Sequence, residues 1–176
     1  MITTERLHLR AYTLADAPTM WRLINVREVA LNTLRIPHPY PEGEAERWIA
    51  SHQSETDDHV FAVALRDAND LIGTVGLHIK DKNDSAEIGY WIGIPYWGRG
   101  YATEAAAAVM RFGFENFPLN RIYAWHFARN PASGRVLQKI GMRHEGTLRQ
   151  HLKKWDEYVD LECYGILRSE FMATRS

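Results

Sequence analysis

Between residues 92 and 105 the chain reads IGIPYWGRGYATEA, with Gly93, Gly98 and Gly100 inside eight residues and an alanine-rich run beyond them. Glycine admits positive φ and lets a ligand approach the main chain. The first N–H groups of a following helix have no intrahelical acceptor, and the helix dipole makes that end positive. Such a junction can hold an anion, phosphate is the natural guest, and Arg99 adds a charge. The glycines alone also allow a strand-to-helix turn with no ligand. Two familiar phosphate loops fail by spelling. A Walker loop needs Gly-Lys-Ser/Thr after its second glycine, whereas Gly98 is followed by Arg99 and Gly100. The dinucleotide fingerprint G-x-G-x-x-G would need a glycine where Thr103 stands. Further along, Asn130-Pro131-Ala132-Ser133 sets a hydroxyl in the first turn of a helix, and Glu87 lies on a strand leading to the glycines. No His-Glu-x-x-His or paired-cysteine spacing occurs, so no catalytic metal is expected.

These groups must be positioned by a scaffold that hydrophobic periodicity outlines. Residues Arg6 to Tyr12 alternate as a strand, and Thr13 with Asp16 spells a capping box for a helix running to about Arg27. Pro37, Pro39 and Pro41 make 31–41 a loop of the kind that borders binding sites, followed by a short helix from Glu42 to about Ser54. HVFAVALRD, LIGTVGLHIK and SAEIGYWI then form a three-stranded antiparallel meander joined by short turns rich in Asp and Asn. A helix over Ala102 to Asn116, a strand over Arg121 to Ala128, and a helix capped by Asn130 and stopped at Gly141 follow. Two last strands flank a turn at Trp155-Asp156. The order β-α-α-βββ-α-β-α-ββ predicts an α+β fold with a mixed α/β sheet.

With these elements in place, AEIGYWIGIPYWGRGYATEA followed by NPASGRVLQKIGMRHEG resembles the GNAT superfamily of acyl-CoA N-acyltransferases, and within it the RimJ/RimL-like branch. The likeness runs from ERLHLRAYTLADA to the closing YVDLECYGIL, so 1–176 is expected to be one GNAT-type domain with a mostly antiparallel sheet, a splayed strand pair and flanking helices. The superfamily's loop usually begins with Gln or Arg three residues before its first glycine, and Pro95 stands there. The resemblance implies an acetyl-CoA-dependent N-acetyltransferase. The amides of Gly98, Arg99, Gly100, Tyr101, Ala102 and Thr103 would cradle the pyrophosphate of acetyl-CoA. The main chain of Tyr90, Trp91 and Ile92 would pair with the pantetheine arm, at an edge opened where the strand 122–126 splays away after Gly93. Asn130 would serve both as cap and as a contact to pantetheine or water.

Acetyl transfer needs a neutral amine, a polarised thioester carbonyl and a proton for the departing thiolate. The N–H of Ile92 is the expected oxyanion donor. Ser133 is the acid that the resemblance implies, against a plain reading as a first-turn residue bonding a free amide. Glu87 is the first choice of base, though it also reads as a solvent-facing strand residue, and Asp160 and His126 are held in reserve. Cys163, the one cysteine, reads as a packed thiol, which argues against a covalent route. The expected acceptor is a primary amine, either a protein N-terminal α-amine or a small molecule. RimJ/RimL-like proteins use protein termini, polyamines, antibiotics and amino acids alike. The resemblance also implies a homodimer. A CoA-binding scaffold without activity and a nucleotide-binding oxidoreductase are the rival readings.

Bulk composition narrows the partners. Apolar residues make up 45% and charged residues 24%, as in ordinary globular domains, and the formal net charge of −1 offers no general attraction to nucleic acid or to an anionic membrane. A single cysteine and an N-terminus without a charged-then-apolar leader lead us to expect a cytoplasmic protein.

Overall fold

The computed structural model describes residues 1–52, 58–80 and 83–173. Its strands are β1 (Ile2–Thr3), β2 (Leu7–Arg10), β3 (Asp58–Leu65), β4 (Leu71–Lys80), β5 (Ser85–Ile92), β6 (Arg121–Phe127), β7 (Arg143–Lys154) and β8 (Glu157–Leu167). They form one sheet in the order β1-β2-β3-β4-β5-β6-β8-β7, antiparallel throughout except for the parallel pair β5–β6. The predicted mixed sheet and its meander are therefore present. The helices are α1 (Ala17–Ile24), α2 (Arg27–Leu31), α3 (Glu44–Ser51), α4 (Tyr101–Asn116), α5 (Pro131–Lys139) and α6 (Arg168–Ala173). Among the described residues no helix is long and apolar enough to cross a membrane.

Period-two alternation sends each strand's residues to two different cores. Leu7, Leu9, Val75, Leu77, Ile88 and Ile122 are buried on one face under Ala105, Ala106, Val109 and Met110 of α4. On the opposite face Ala62 and Leu71 pack with Ala17, Met20 and Ile24 of α1 and Ala45 and Ile49 of α3, with Trp91 against them. A third cluster, Phe127, Val159 and Leu161, lies under Leu34, Trp125 and Leu152. The helix expected to run to Arg27 is three pieces. A 3-10 turn over Leu14–Asp16 precedes α1, and the chain breaks at Asn25, with φ −75° and ψ 45°, before α2 starts. The capping chemistry is as expected, for the Asp16 carboxylate accepts from the Thr13 N–H at 2.8 Å, but it also takes two bonds of 2.8 Å from Arg10. The helix expected from Glu42 begins at Glu44, and the remainder of that expectation, 53–54, lies outside the described residues, as do 81 and 82 of the turn before β5. Helix α6 was not foreseen.

The pairing of β5 with β6 departs from expectation in a way that matters. It comprises only Ser85↔Arg121, Ala86↔Ile122 and Glu87↔Tyr123, so the strands part after Glu87 rather than after Gly93. The whole C-terminal half of β5 thus borders a gap, while its other edge stays paired with β4 up to Gly73↔Ile92. This last pair is close. A Cβ on Gly73 would press into the Trp91 carbonyl oxygen and stand 2.7 Å from Ile92 Cδ1. Gly73→Ala is therefore expected to force β4 from β5 at Ile92, costing about 1–3 kcal/mol in chemical denaturation as overpacking does.

Candidate active site

The gap between β5 and β6 opens into a cleft of about 980 Å³ that reaches both faces of the sheet. Backbone parity decides which groups of β5 face it. The Gly93 N–H donates to Ile72 O at 2.8 Å, on the β4 side. Alternate residues of an antiparallel strand turn their main-chain groups the same way, so Trp91 also turns to β4, whereas Tyr90 and Ile92 present theirs to the gap. The Ile92 carbonyl is engaged there by the Trp97 indole at 2.6 Å. Its N–H lacks a β6 partner, because pairing has already ended at Tyr123.

The glycine loop follows through a 3-10 turn over Ile94–Tyr96, which Pro95 enters without an unpaired N–H. Gly98 and Gly100 have φ of 73° and 81°, the left-handed region that favours glycine, and Gly100 is the N-cap of α4. The first bond of the helix turn is Glu104 N–H to Gly100 O at 3.0 Å. The amides of Tyr101, Ala102 and Thr103 therefore have no intrahelical acceptor and converge on the cleft that these residues line. The arrangement can bind a phosphate ester through main-chain donors.

Ser133 and Asn130 approach from the α5 end. Asn130 caps α5, its Oδ1 accepting from the Ser133 N–H at 3.4 Å. The Ser133 hydroxyl meets the Tyr90 hydroxyl at 2.8 Å, and Tyr90 OH also lies 3.3 Å from the Ser133 carbonyl oxygen. Burial pushes the Tyr90 phenol up to about 12, with the Ser133 bond pulling the other way. Tyr90 thus keeps its proton at neutral pH and can hold the serine hydroxyl in one orientation.

Glu87 lies on the opposite face, alternating with Trp91, next to His78 on β4 and Tyr123 on β6. Burial and the Glu87 carboxylate together raise the Tyr123 phenol. Of the reserve bases, Asp160 is committed elsewhere. Its Oδ1 accepts from the Gln150 N–H at 2.7 Å, at a bulge of β7 where Gln150 has φ 49°, and it does not line the cleft. His126 borders the cleft from the α5 face, 7% exposed, with Nδ1 2.9 Å from Phe127 O and Nε2 lacking any partner. A Cβ on Gly134 would sit 2.7 Å from that nitrogen, so α5 covers it closely. Burial raises the Cys163 thiol, aided by Glu145 and Glu162, which disfavours a thiolate. Among the described residues no group of three or more His, Cys, Asp or Glu could hold a metal ion.

All but one of the twelve site positions expected from the sequence, Glu87 included, line this cleft. The exception is Arg99, whose side chain is exposed and whose carbonyl accepts from Arg6 Nη1 at 2.9 Å. Arg6 itself was missed. Its guanidinium joins Glu104 at 2.7 Å and lies 4.8 Å over the Tyr101 ring, and the same carboxylate accepts from the Thr4 hydroxyl at 2.6 Å and the Arg6 N–H at 2.8 Å. Burial would raise the Glu104 carboxyl, but those bonds outweigh it and hold it below the usual carboxylate range. The connection between β1 and β2 thus fastens the loop and first turn of α4. Only the acidic residue in that first turn hinted at it, as a partner for some cation.

Comparison with known proteins bears on this geometry. The acetyltransferase (GNAT) domain family model matches residues 6–143. The uncharacterized N-acetyltransferase YnaD of Bacillus subtilis (strain 168) is 33% identical over 172 residues, which are 97% of this chain and 98% of YnaD. The crystal structure of a GNAT-family acetyltransferase from Bacillus anthracis superposes with a TM-score of 0.86 at 28% identity, covering 96% of this chain and 98% of that one. The ribosomal α-N-protein acetyltransferase RimL, in complex with coenzyme A, superposes with a TM-score of 0.83 at 20% identity over 93% and 95%, a likeness of fold.

The clamp carries a prediction. Glu104→Gln removes the charge that Arg6 bonds, and for a pair open to solvent on the arginine side we expect ~1 kcal/mol, a several-fold loss of coenzyme A affinity by calorimetry. Glu104 titrates lower in the folded chain than in the unfolded one, so its contribution is complete above the ordinary carboxylate range and fades as pH falls through it. The deficit of the variant should accordingly shrink in acid.

Proposed function

The chain belongs to the GNAT acetyltransferase family, and on that premise we propose that it moves the acetyl group of acetyl-CoA directly to a primary amine in a ternary complex. The observation that carries this reading is the early parting of β5 from β6, which leaves the Ile92 N–H and the α4 amides on one continuous cleft. The pyrophosphate would rest on the amides from Gly98 to Thr103, and the pantetheine arm would run along Tyr90 and Ile92 like an added strand.

In the reaction the amine nitrogen bonds to the thioester carbonyl carbon while negative charge grows on its oxygen, where the Ile92 N–H would donate. Glu87, on the face reached from the 31–41 loop, would take the proton that the amine sheds, directly or through water. As the carbon–sulfur bond breaks, the thiolate would take a proton from the Ser133 hydroxyl, which Tyr90 orients at 2.8 Å. Ser133 recovers its proton from solvent as coenzyme A leaves. A thiolate is a good leaving group and makes little demand on so weak an acid. Cys163 is outside this scheme, its thiol being raised rather than lowered.

The finer assignment to the RimJ/RimL-like branch is part of the proposal. It is supported by Asn130-Pro-Ala-Ser133 at the head of α5, by Pro95 in the loop, and by the likeness of fold to RimL. Transfer to a protein N-terminal α-amine is the finer form of this proposal, in keeping with the likeness of fold to RimL, which is named as an α-N-protein acetyltransferase.

Release of coenzyme A across a panel of amines tests the reaction, and binding without release for every amine would reduce the protein to a scaffold. Ser133→Ala is expected to lower kcat about tenfold or more with coenzyme A affinity nearly unchanged. Gly98→Val should do the reverse, since a β-branched residue is strained at φ 73° although space around its Cβ is open. A full rate for Ser133→Ala at saturating acetyl-CoA would remove the serine from the mechanism.

A further inference from the structure

Beside the main cleft, on the face that carries Glu87, lies a smaller pocket of about 310 Å³. Its walls are Leu34 from the proline-rich loop, Trp125 of β6, Leu148 and Leu152 of β7, and Leu161 of β8. Leu34, Ala124 and Trp125 also line the main cleft, so the two spaces adjoin across these residues. Tyr123 forms the near end, and it is the register partner of Glu87.

The pocket is built rather than incidental. Register passes from Leu148↔Leu161 to Leu152↔Val159, four positions along β7 against two along β8. That bulge is held by the Asp160 carboxylate on the Gln150 N–H at 2.7 Å. The far wall is fixed as well, for Lys154 is 4% exposed and its Nζ donates to Leu34 O at 3.2 Å and Ile36 O at 2.7 Å. Leu148 is nevertheless 44% exposed, an apolar group left in water beside a concave apolar wall.

Charge limits what can occupy it. The ionisable lining side chains are Arg121, His151, Cys163 and two tyrosines, Tyr123 and Tyr164, with no carboxylate among them. Arg121 is held in a two-pronged pair by Glu145 at 2.6 Å for each bond, so neither partner is available to a ligand. A second ammonium placed here would lose water against leucine and tryptophan and gain no counter-charge.

We infer that this pocket takes an apolar substituent of the acceptor, which is a primary monoamine carrying an aromatic or branched aliphatic group close to its nitrogen, and not a polyamine. The inference rests on the acetyl transfer proposed above and specifies its acceptor class. The amine would stand at Glu87 in the gap while its substituent passes over Tyr123 to Trp125 and Leu148. A peptide α-amine with an apolar first residue and a small arylalkylamine share that chemistry.

The experiment compares kcat/KM for 2-phenylethylamine, a tetrapeptide beginning with leucine, the same tetrapeptide beginning with glycine, and spermidine, for the unaltered protein and for Leu148→Glu. We expect at least one of the two apolar amines to exceed both the glycine peptide and spermidine by about tenfold, as filling an apolar pocket allows. The two apolar amines separate peptide from small-molecule acceptors. Leu148→Glu should reduce that preference severalfold, and with it the thermal stabilisation by the preferred amine in the presence of coenzyme A. Its coenzyme A affinity and elution volume should be unchanged. Turnover in which spermidine equals or exceeds the apolar amines overturns the inference alone, as does an unchanged preference in Leu148→Glu. A change in oligomeric mass with that variant would assign the leucine to a contact between copies and overturn it too. Failure of every amine to release coenzyme A would instead remove the acetyl-transfer reading itself, and the inference with it.

Discussion

Three register pairs between β5 and β6, followed by none, are the constraint on which the site depends. A parallel pair is joined here by a crossover helix, and α4 lies tightly over the paired end. A Cβ on Gly113 would come within 2.8 Å of Leu77 Cδ2 and 3.1 Å of Ile122 Cδ1. The paired end is latched by Asp84, whose carbonyl accepts from the Asn120 N–H at 2.7 Å and the Arg121 N–H at 3.3 Å. Toward the other end α5 packs on β6 through Gly134, pressed against His126 and Tyr164, and Tyr90 meets it from β5. Two helices riding on two strands thus hold the strands apart where main-chain donors are wanted. An unpaired N–H buried away from water is costly, so a gap of this kind persists where solvent or a ligand satisfies it.

Long-range polar fastenings hold the two rims. At one rim Arg6, in the connection between β1 and β2, joins the Arg99 carbonyl and the Glu104 carboxylate, tying the glycine loop to the first turn of α4. At the other rim Lys154, at the tip of the β7–β8 hairpin, bonds two carbonyls of the proline-rich loop and lies 5.1 Å over the Trp155 ring. Burial lowers its ammonium pKa, and Arg129 nearby adds to this. Neither cation contacts the proposed reacting atoms. Each fastens a loop of the cleft to a part of the chain distant in sequence.

What could be read from the sequence follows from how local the causes are. The loop at Gly98 and Gly100, the cap at Asn130 and the stop at Gly141 are decided within a few residues, and each stands where turn and helix chemistry places it. Strands β4 and β5 coincide with their expected limits because alternation and turn residues agree there. The break at Asn25 is different. There the helix must bend so that Trp21 Nε1 can bond Tyr40 O at 3.1 Å and Asn25 Oδ1 can accept from the Tyr40 N–H at 2.8 Å. Partners 15 and 19 residues away leave no local signal. The Arg6–Glu104 clamp and the Asp160-held bulge were illegible for the same reason. Asp160 looked like a spare base because a carboxylate on a strand carries no mark of the N–H it accepts.

The position of the proposed acid and base on opposite faces of the sheet has a chemical consequence. Were Ser133 and Glu87 on one side, the carboxylate could accept the serine proton directly, and the hydroxyl would be lost to the leaving thiolate. Instead Tyr90 and Ser133 form a neutral pair on the α5 face, and burial keeps the Tyr90 phenol protonated. Glu87 shares the other face with Tyr123 and Trp91, where an amine entering from the α1–α3 side would arrive. His126 lies on the wrong face for that task, covered by Gly134. On this reading the proton leaves the amine on one side of the gap and another reaches sulfur on the other, so the strand separation that exposes the Ile92 N–H also keeps the two transfers apart.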